Sequence, residues 1–225
     1  MTSRSGKTVS NAQRALHELR AMIFSGELAA GSDHLESELA ARLEMSRTPV
    51  REAVLTLEGQ GLLELRQRKG VRISPVSPDD MREIYDVLTE LESLAAEHAA
   101  EASYDDGDLA QLTAAIDDMD AAIDAEDREA WAAADDRFHA ELVRLGGNQR
   151  VASIVGMMQD QVRRARAITL FMRPMPVQSN EDHRLVCQSI RNGNADVARA
   201  THRAHRQQSK EMLVGLLERH RLRSL

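Results

Sequence analysis

From residue 78 onward, apolar residues recur at helical spacing almost without a break, and only four short stretches interrupt them. These are Asp105-Asp106-Gly107, Gly146-Gly147-Asn148, Arg173-Pro174-Met175-Pro176 and Asn192-Gly193-Asn194. They divide this part of the chain into six expected helices, at about 78–103, 107–124, 127–145, 148–172, 178–192 and 195–220. Helices of this kind must bury their apolar stripes against one another, which makes an antiparallel all-helical bundle. With 12 Gly and 5 Pro in 225 residues there is too little turn material for a many-stranded sandwich. Aromatic residues are only 3%, so the core falls to Leu, Ala, Ile, Val and the 10 Met.

The helical run starts at Ile73-Ser74-Pro75-Val76-Ser77-Pro78, where two prolines force extended backbone and end whatever precedes them. Two domains are therefore expected, 1–76 and 77–225. Residues 1–76 carry 11 Lys and Arg against 9 Asp and Glu, while the remainder carries 18 against 27. A weakly basic head on an acidic body is the asymmetry expected when one module meets phosphate and the other does something else. The one cysteine, Cys187, forms no internal disulfide, and no apolar stretch reads as a secretion signal or membrane span. A cytoplasmic location, away from membranes, is the expectation.

Within the head, helices are expected at about 10–25 and 36–44, followed by a third that starts at Ser46-Arg47-Thr48-Pro49-Val50-Arg51. Ser46 is a suitable N-cap, and Pro49 falls in the first turn, where backbone donors lack helical partners anyway. Val50, Ala53, Val54 and Leu57 form the inward face, which leaves Arg47, Thr48 and Arg51 together on the other. A recognition helix presents side chains to base edges and phosphates from this position. Two alternating runs, Leu63–Arg66 and Val71–Ile73, flank Gln67-Arg68-Lys69-Gly70 and read as a β-hairpin with a basic tip. Three helices followed by a basic hairpin make a winged helix-turn-helix, with Arg68, Lys69 and Arg72 able to reach DNA from the wing.

The run SRTPVREA, with Leu35-Glu36-Ser37-Glu38-Leu39-Ala40 before it and Gly61-Leu62-Leu63 and Arg68-Lys69-Gly70-Val71 after it, resembles the N-terminal domain of GntR-type transcription regulators. The resemblance implies that Arg47 and Arg51 contact operator DNA and that Gly70 lies at the wing tip. Some members have an arginine where this chain has Ser37.

In the body, polar residues interrupt otherwise apolar stripes. Asp135 and His139 are i, i+4 neighbours on a face with Trp131, Phe138 and Leu142. His183 shares a face with Val186, Cys187 and Ile190, and His205 one with Val197, Thr201, Gln208 and Met212. Burying an Asp and three His without partners costs several kcal/mol, by the order of magnitude for unpaired polar groups. A divalent metal would satisfy all four, and Asp/His donors suit zinc, nickel, manganese or iron. The alternative is that each histidine is satisfied singly in core or surface, and His202 is a rival ligand on the last helix. His17, His34, His98 and His220 read as surface residues.

The body also resembles the FCD ligand-binding domain of the FadR-type branch of the GntR regulators. Asp135-Asp136-Arg137-Phe138-His139 is similar to that domain's D-x-x-F-H motif, and Asp182-His183 to its acidic-His pair. The stretch Asp196–Ala200 leading to His205 is similar to its final helix. The resemblance implies ligand roles for Asp135, His139, His183 and His205. Glu83–Glu92 also fits, except for Leu88, where many members have an arginine. Six helices rather than seven resemble the VanR-type subgroup.

The chain thus reads as a homodimeric, ligand-responsive repressor of a palindromic double-stranded operator, not an enzyme. Its effector, by analogy an organic acid, places a carboxylate on the metal. The competing reading is a mononuclear metal-dependent hydrolase with Asp136 as base. Glu three residues before a His, as di-iron bundles require, occurs nowhere, nor does H-E-x-x-H.

Overall fold

The structure, a computed structural model, describes residues 10–220. The chain divides between Val76 and Ser77 into two units. The outermost parts of the expected domains, residues 1–9 and 221–225, lie outside the described residues.

The N-terminal unit holds helices α1 (Asn11–Phe24), α2 (Glu36–Arg42) and α3 (Arg47–Gly59) and strands β1 (Asp33–His34), β2 (Leu63–Arg66) and β3 (Gly70–Ile73). A capping box opens α1: Gln13 N donates to Ser10 Oγ and Ser10 N to Gln13 Oε1. Helix α1 packs on α3, and Leu19, Ile23, Leu39, Val54, Leu57 and Val71 share one core. Ser46 occupies the N-cap of α3 with extended backbone, but its hydroxyl makes no capping bond.

Strands β2 and β3 form the expected antiparallel hairpin, in the register Leu63↔Ile73 and Arg66↔Gly70. An unexpected third strand, β1, pairs with β3 on its other side, giving the order β1-β3-β2. Two polar residues have no period to read, so β1 exists only because β3 offers it a partner. Gly70 is where β1 crosses closest. Its φ is +82°, and a Cβ there would lie 2.3 Å from the His34 carbonyl oxygen. It therefore opens β3, one step past the tip formed by Gln67-Arg68-Lys69, instead of standing at the tip itself.

The C-terminal unit is a bundle of α4 (Pro78–Glu101), α5 (Ala110–Asp124), α6 (Arg128–Leu145), α7 (Gln149–Thr169), α8 (Val177–Arg191) and α9 (Ala195–Arg219), with a short 3-10 turn, Leu170–Met172, after α7. Ser77 Oγ accepts from the Asp79 and Asp80 amides to start α4, with Pro78 as its first residue. Helix α4 lies along α9, and α5 along α6. Leu112, Met119, Trp131, Phe138, Leu142 and Ile190 belong to its apolar core. Gly146, at the end of α6, lets that helix approach α4, since a Cβ there would come within 2.7 Å of Ala95.

Candidate metal centre and nucleic-acid interface

In the N-terminal unit, Arg47, Thr48 and Arg51 are exposed at the start of α3, and Arg68 and Lys69 are exposed on the hairpin tip. Among the described residues, none of these four cations pairs with a carboxylate, whereas Arg66 pairs with Glu64 and Asp33. Arg72, the third wing cation, is half-buried on β3. Unpaired, solvated cations on one helix start and one hairpin are what a phosphate-lined groove requires.

In the C-terminal unit, α6 contributes Asp135 and His139, α8 contributes His183 and α9 contributes His205. All four are buried, and one ligand atom from each lies within 4.8 Å of the others. His183 Nε2 is 3.2 Å from His205 Nε2. Asp135 Oδ2 is 3.6 Å from His139 Nε2, and its Oδ1 is 3.6 Å from His183 Nε2. Four donors at bonds of about 2.0–2.1 Å in a tetrahedron stand about 3.3–3.4 Å apart. The observed spacings bracket that edge, and a borderline N/O donor set suits a divalent transition metal.

Each flank of the cluster is held by charge. Arg166 of α7 donates to Asp135 Oδ2, and Asp182 Oδ2 is 3.5 Å from His205 Nδ1. Glu92 of α4 places Oε2 2.9 Å from His139 Nδ1, though poorly aligned, so neither atom has a good hydrogen bond. His202 Nε2 lies 3.5 Å from the same Glu92 oxygen, and Arg206 Nη2 lies 3.3 Å from Glu92 Oε1. Glu92, His139 and His202 thus form a second buried group that shares His139 with the first. Carboxylates behind metal-binding histidines fix the tautomer and turn the other ring nitrogen toward the ion.

Burial pushes His183 and His202 well below the usual histidine range, helped by neighbouring positive charge, and lowers His205 as well. These rings are neutral near pH 7, the form that binds metal. Ordinary histidines protonate at about pH 6.5 and then cannot hold a metal, so for His183 and His205 that loss falls at lower pH. Burial alone would raise the carboxyls, but Arg206 and His139 bring Glu92 down to about 2. Arg166 and the three histidines hold Asp135 well below the usual carboxylate range. The carboxylates are anionic and the rings of His183 and His205 neutral, so the residues fit a cation.

Two residues depart from the expected face of α9. Val197 and Gln208, expected beside His205, are exposed, whereas Met212, also exposed, lines the same cavity as His205; the buried arc holds Ala198, His202, His205, Arg206 and Leu213. Helix α9 touches both α4 and α8, and these neighbours select its buried arc. Leu88, where the chain departs from many family members, is buried, and Arg206 is the guanidinium that faces Glu92. Asp136, the base in the hydrolase reading, is held by Arg163 at 2.7 Å with Arg166 at 3.6 Å. Glu92 was legible in principle, as a carboxylate in the inward stripe of Tyr85, Leu88 and Ala96.

The metal-ligand cluster opens on a cavity that is partly open to solvent and lined by Asp135, His139 and His205 among others. Among the described residues no helix is long and apolar enough to cross a membrane.

Comparison with known proteins places two family matches on this chain. Residues 11–73 match the bacterial regulatory proteins of the gntR family, and residues 83–208 match the FCD domain. An uncharacterized HTH-type transcriptional regulator in the TAR-I ttuE-ttuC' intergenic region of Agrobacterium vitis is 40% identical over 148 residues, covering 64% of this chain and 86% of that protein. The HTH-type transcriptional regulator LutR of Bacillus subtilis is 30% identical, covering 88% and 98%. The solved structure of E. coli McbR/YncC shares the fold, with a TM-score of 0.75 at 22% identity, covering 93% and 99%.

Proposed function

The chain belongs to the GntR family of bacterial regulatory proteins and carries an FCD domain, so it is a ligand-responsive DNA-binding transcription regulator, and we propose that it is a metal-assisted repressor. In this reading residues 1–76 bind the operator and residues 77–225 bind the effector and form a homodimer, in the cytoplasm. Arg47, Thr48 and Arg51 read the major groove, while Arg68 and Lys69, next to Gly70, hold the backbone.

The observation that carries the effector half is the convergence of Asp135, His139, His183 and His205 on one point at the wall of a cavity. A divalent ion, zinc by donor chemistry, would supply Lewis-acid coordination of a carboxylate oxygen there. Arg166 keeps Asp135 ionised, and Glu92 and Asp182 stand behind His139 and His205. Repression is favoured over activation by relatives named as repressors, among them the probable D-xylose utilization operon transcriptional repressor of Paenarthrobacter nicotinovorans, 28% identical.

A single head with a net charge of +2 makes too few phosphate contacts for tight specific binding, which supports a dimer on a two-fold operator. Selection from a random duplex pool, followed by sedimentation with and without the selected DNA, tests this. A palindrome bound by two chains is expected. A monomer at micromolar concentration that stays monomeric on DNA would overturn the dimer.

A further inference from the structure

The cavity beside the metal-ligand cluster contains more positive charge than its own carboxylates neutralise. Four guanidiniums line it, from Arg128, Arg166, Arg173 and Arg206. Arg166 is taken up by Asp135, and Arg206 faces Glu92. The other two have no such partner. Arg128, the first residue of α6, donates only to Met175 Sδ. Arg173, just past the 3-10 turn, donates from Nε and Nη2 to Thr169 Oγ1, at 3.1 and 2.6 Å. Among the described residues neither forms an ion pair.

Both side chains are half-buried at the cavity wall. Burial, and then the charge of Arg166, bring Arg173 down to about 10, so it still carries its proton near pH 7. Charges in an apolar-walled pocket are poorly screened and focus potential toward the opening. Helix α8 begins at the same wall with Pro176 as its N-cap, without a side-chain cap and without acidic residues in its first turn. Trp131, 6% exposed, also lines the cavity, and its indole N–H has no partner.

We propose that the effector is a small dicarboxylic acid, with one carboxylate at the metal-ligand cluster and the other held by Arg128 and Arg173. This deepens the reading of the cavity as the effector site and rests on it. Trp131 and Leu170 give the wall between the two ends an apolar surface for a short hydrocarbon spacer. A guanidinium meets a carboxylate through parallel N–H donors, so two guanidiniums select for a second carboxylate over a methyl group at that end.

The test is calorimetric titration of the full-length, zinc-reconstituted protein with succinate, glutarate and adipate, each against the monocarboxylate of equal chain length, butyrate, pentanoate and hexanoate. At least one dicarboxylate is expected to bind about tenfold or more tightly than its partner, the scale of a charged hydrogen-bonded pair. Arg128→Gln and Arg173→Gln should each erode that preference, and the double variant should abolish it. Zinc content and the midpoint of thermal unfolding, measured alongside, report that the variants have folded. Equal affinities within each pair in the wild type, or a preference that survives the double variant, would overturn the dicarboxylate while leaving the cavity as the effector site. Failure of every acid in both series to bind the zinc-loaded protein would overturn both.

Discussion

Glu92 approaches His139 from the side opposite the metal-ligand cluster: its Oε2 is 2.9 Å from Nδ1, while Nε2 faces Asp135 at 3.6 Å. One buried carboxylate on α4 therefore stands behind the nitrogen of a histidine on α6 that points away from the ligand set. The tautomer with the proton on Nδ1 satisfies Glu92 and leaves the Nε2 lone pair for a cation.

Glu92→Gln should weaken metal binding by about 10–100-fold, the usual effect of removing a carboxylate behind a liganding histidine. It also leaves Arg206 buried without a counter-charge, which costs about 3–5 kcal/mol of stability by the measure of broken buried pairs. Chelator competition and urea unfolding read the two effects separately. Wild-type metal affinity in a folded variant would reduce Glu92 to the partner of Arg206.

His183→Ala should lose metal while the head keeps its operator affinity, because His183 is in the C-terminal unit and Arg47 and Arg51 in the other. Elemental analysis of both proteins, purified without chelator, is the measurement. Equal metal content in the two would remove His183 from the ligand set, and no metal in the wild type after reconstitution would remove the centre. Should effector-driven release from DNA persist without metal, the ion's role would be structural only.

Arg47→Ala and Arg51→Ala should weaken operator binding and leave the fold intact, since both side chains are exposed and unpaired. Loss of a bidentate guanine contact costs about 1–3 kcal/mol and relaxes specificity at one base pair. Loss of a phosphate contact instead lowers the slope of affinity against salt by about one unit. Fluorescence anisotropy over a salt series separates the two, and unchanged affinity in both variants would refute the recognition-helix assignment.

Acid should destabilise the metal-free protein before its carboxylates protonate. The folded-state pKa values of His183, His202 and His205 lie below the unfolded value of about 6.5, so the unfolded chain binds more protons. Stability from these rings is full above about pH 6.5 and is lost as pH falls toward their folded values, at up to about 1.4 kcal/mol per pH unit per ring. Glu92 adds a second loss between about pH 4.5 and about 2. Urea unfolding of chelator-treated protein from pH 7.5 to 5 should show the first decline. A flat profile would mean that the rings are protonated or paired in the folded state.

The sequence alone carried everything that depends on neighbours along the chain. Turn residues mark each of the six bundle helices, and the alternation around Arg68-Lys69-Gly70 marks the hairpin, because backbone preference and side-chain period are local. It also put Asp135, His139 and His183 on inward faces. Tertiary structure decided what depends on elements far apart in sequence. Helices α4 and α8, packed on α9, turned both His202 and His205 inward where spacing had offered them as rivals, and left Val197 outside. Strand β1 formed because β3 had a free edge, and Gly70 is required by the β1 backbone that crosses it. The pairing of Glu92 with His139, 47 positions apart, is not encoded in any local period. A period states that a face is buried, whereas the element packed against that face decides which charge it meets.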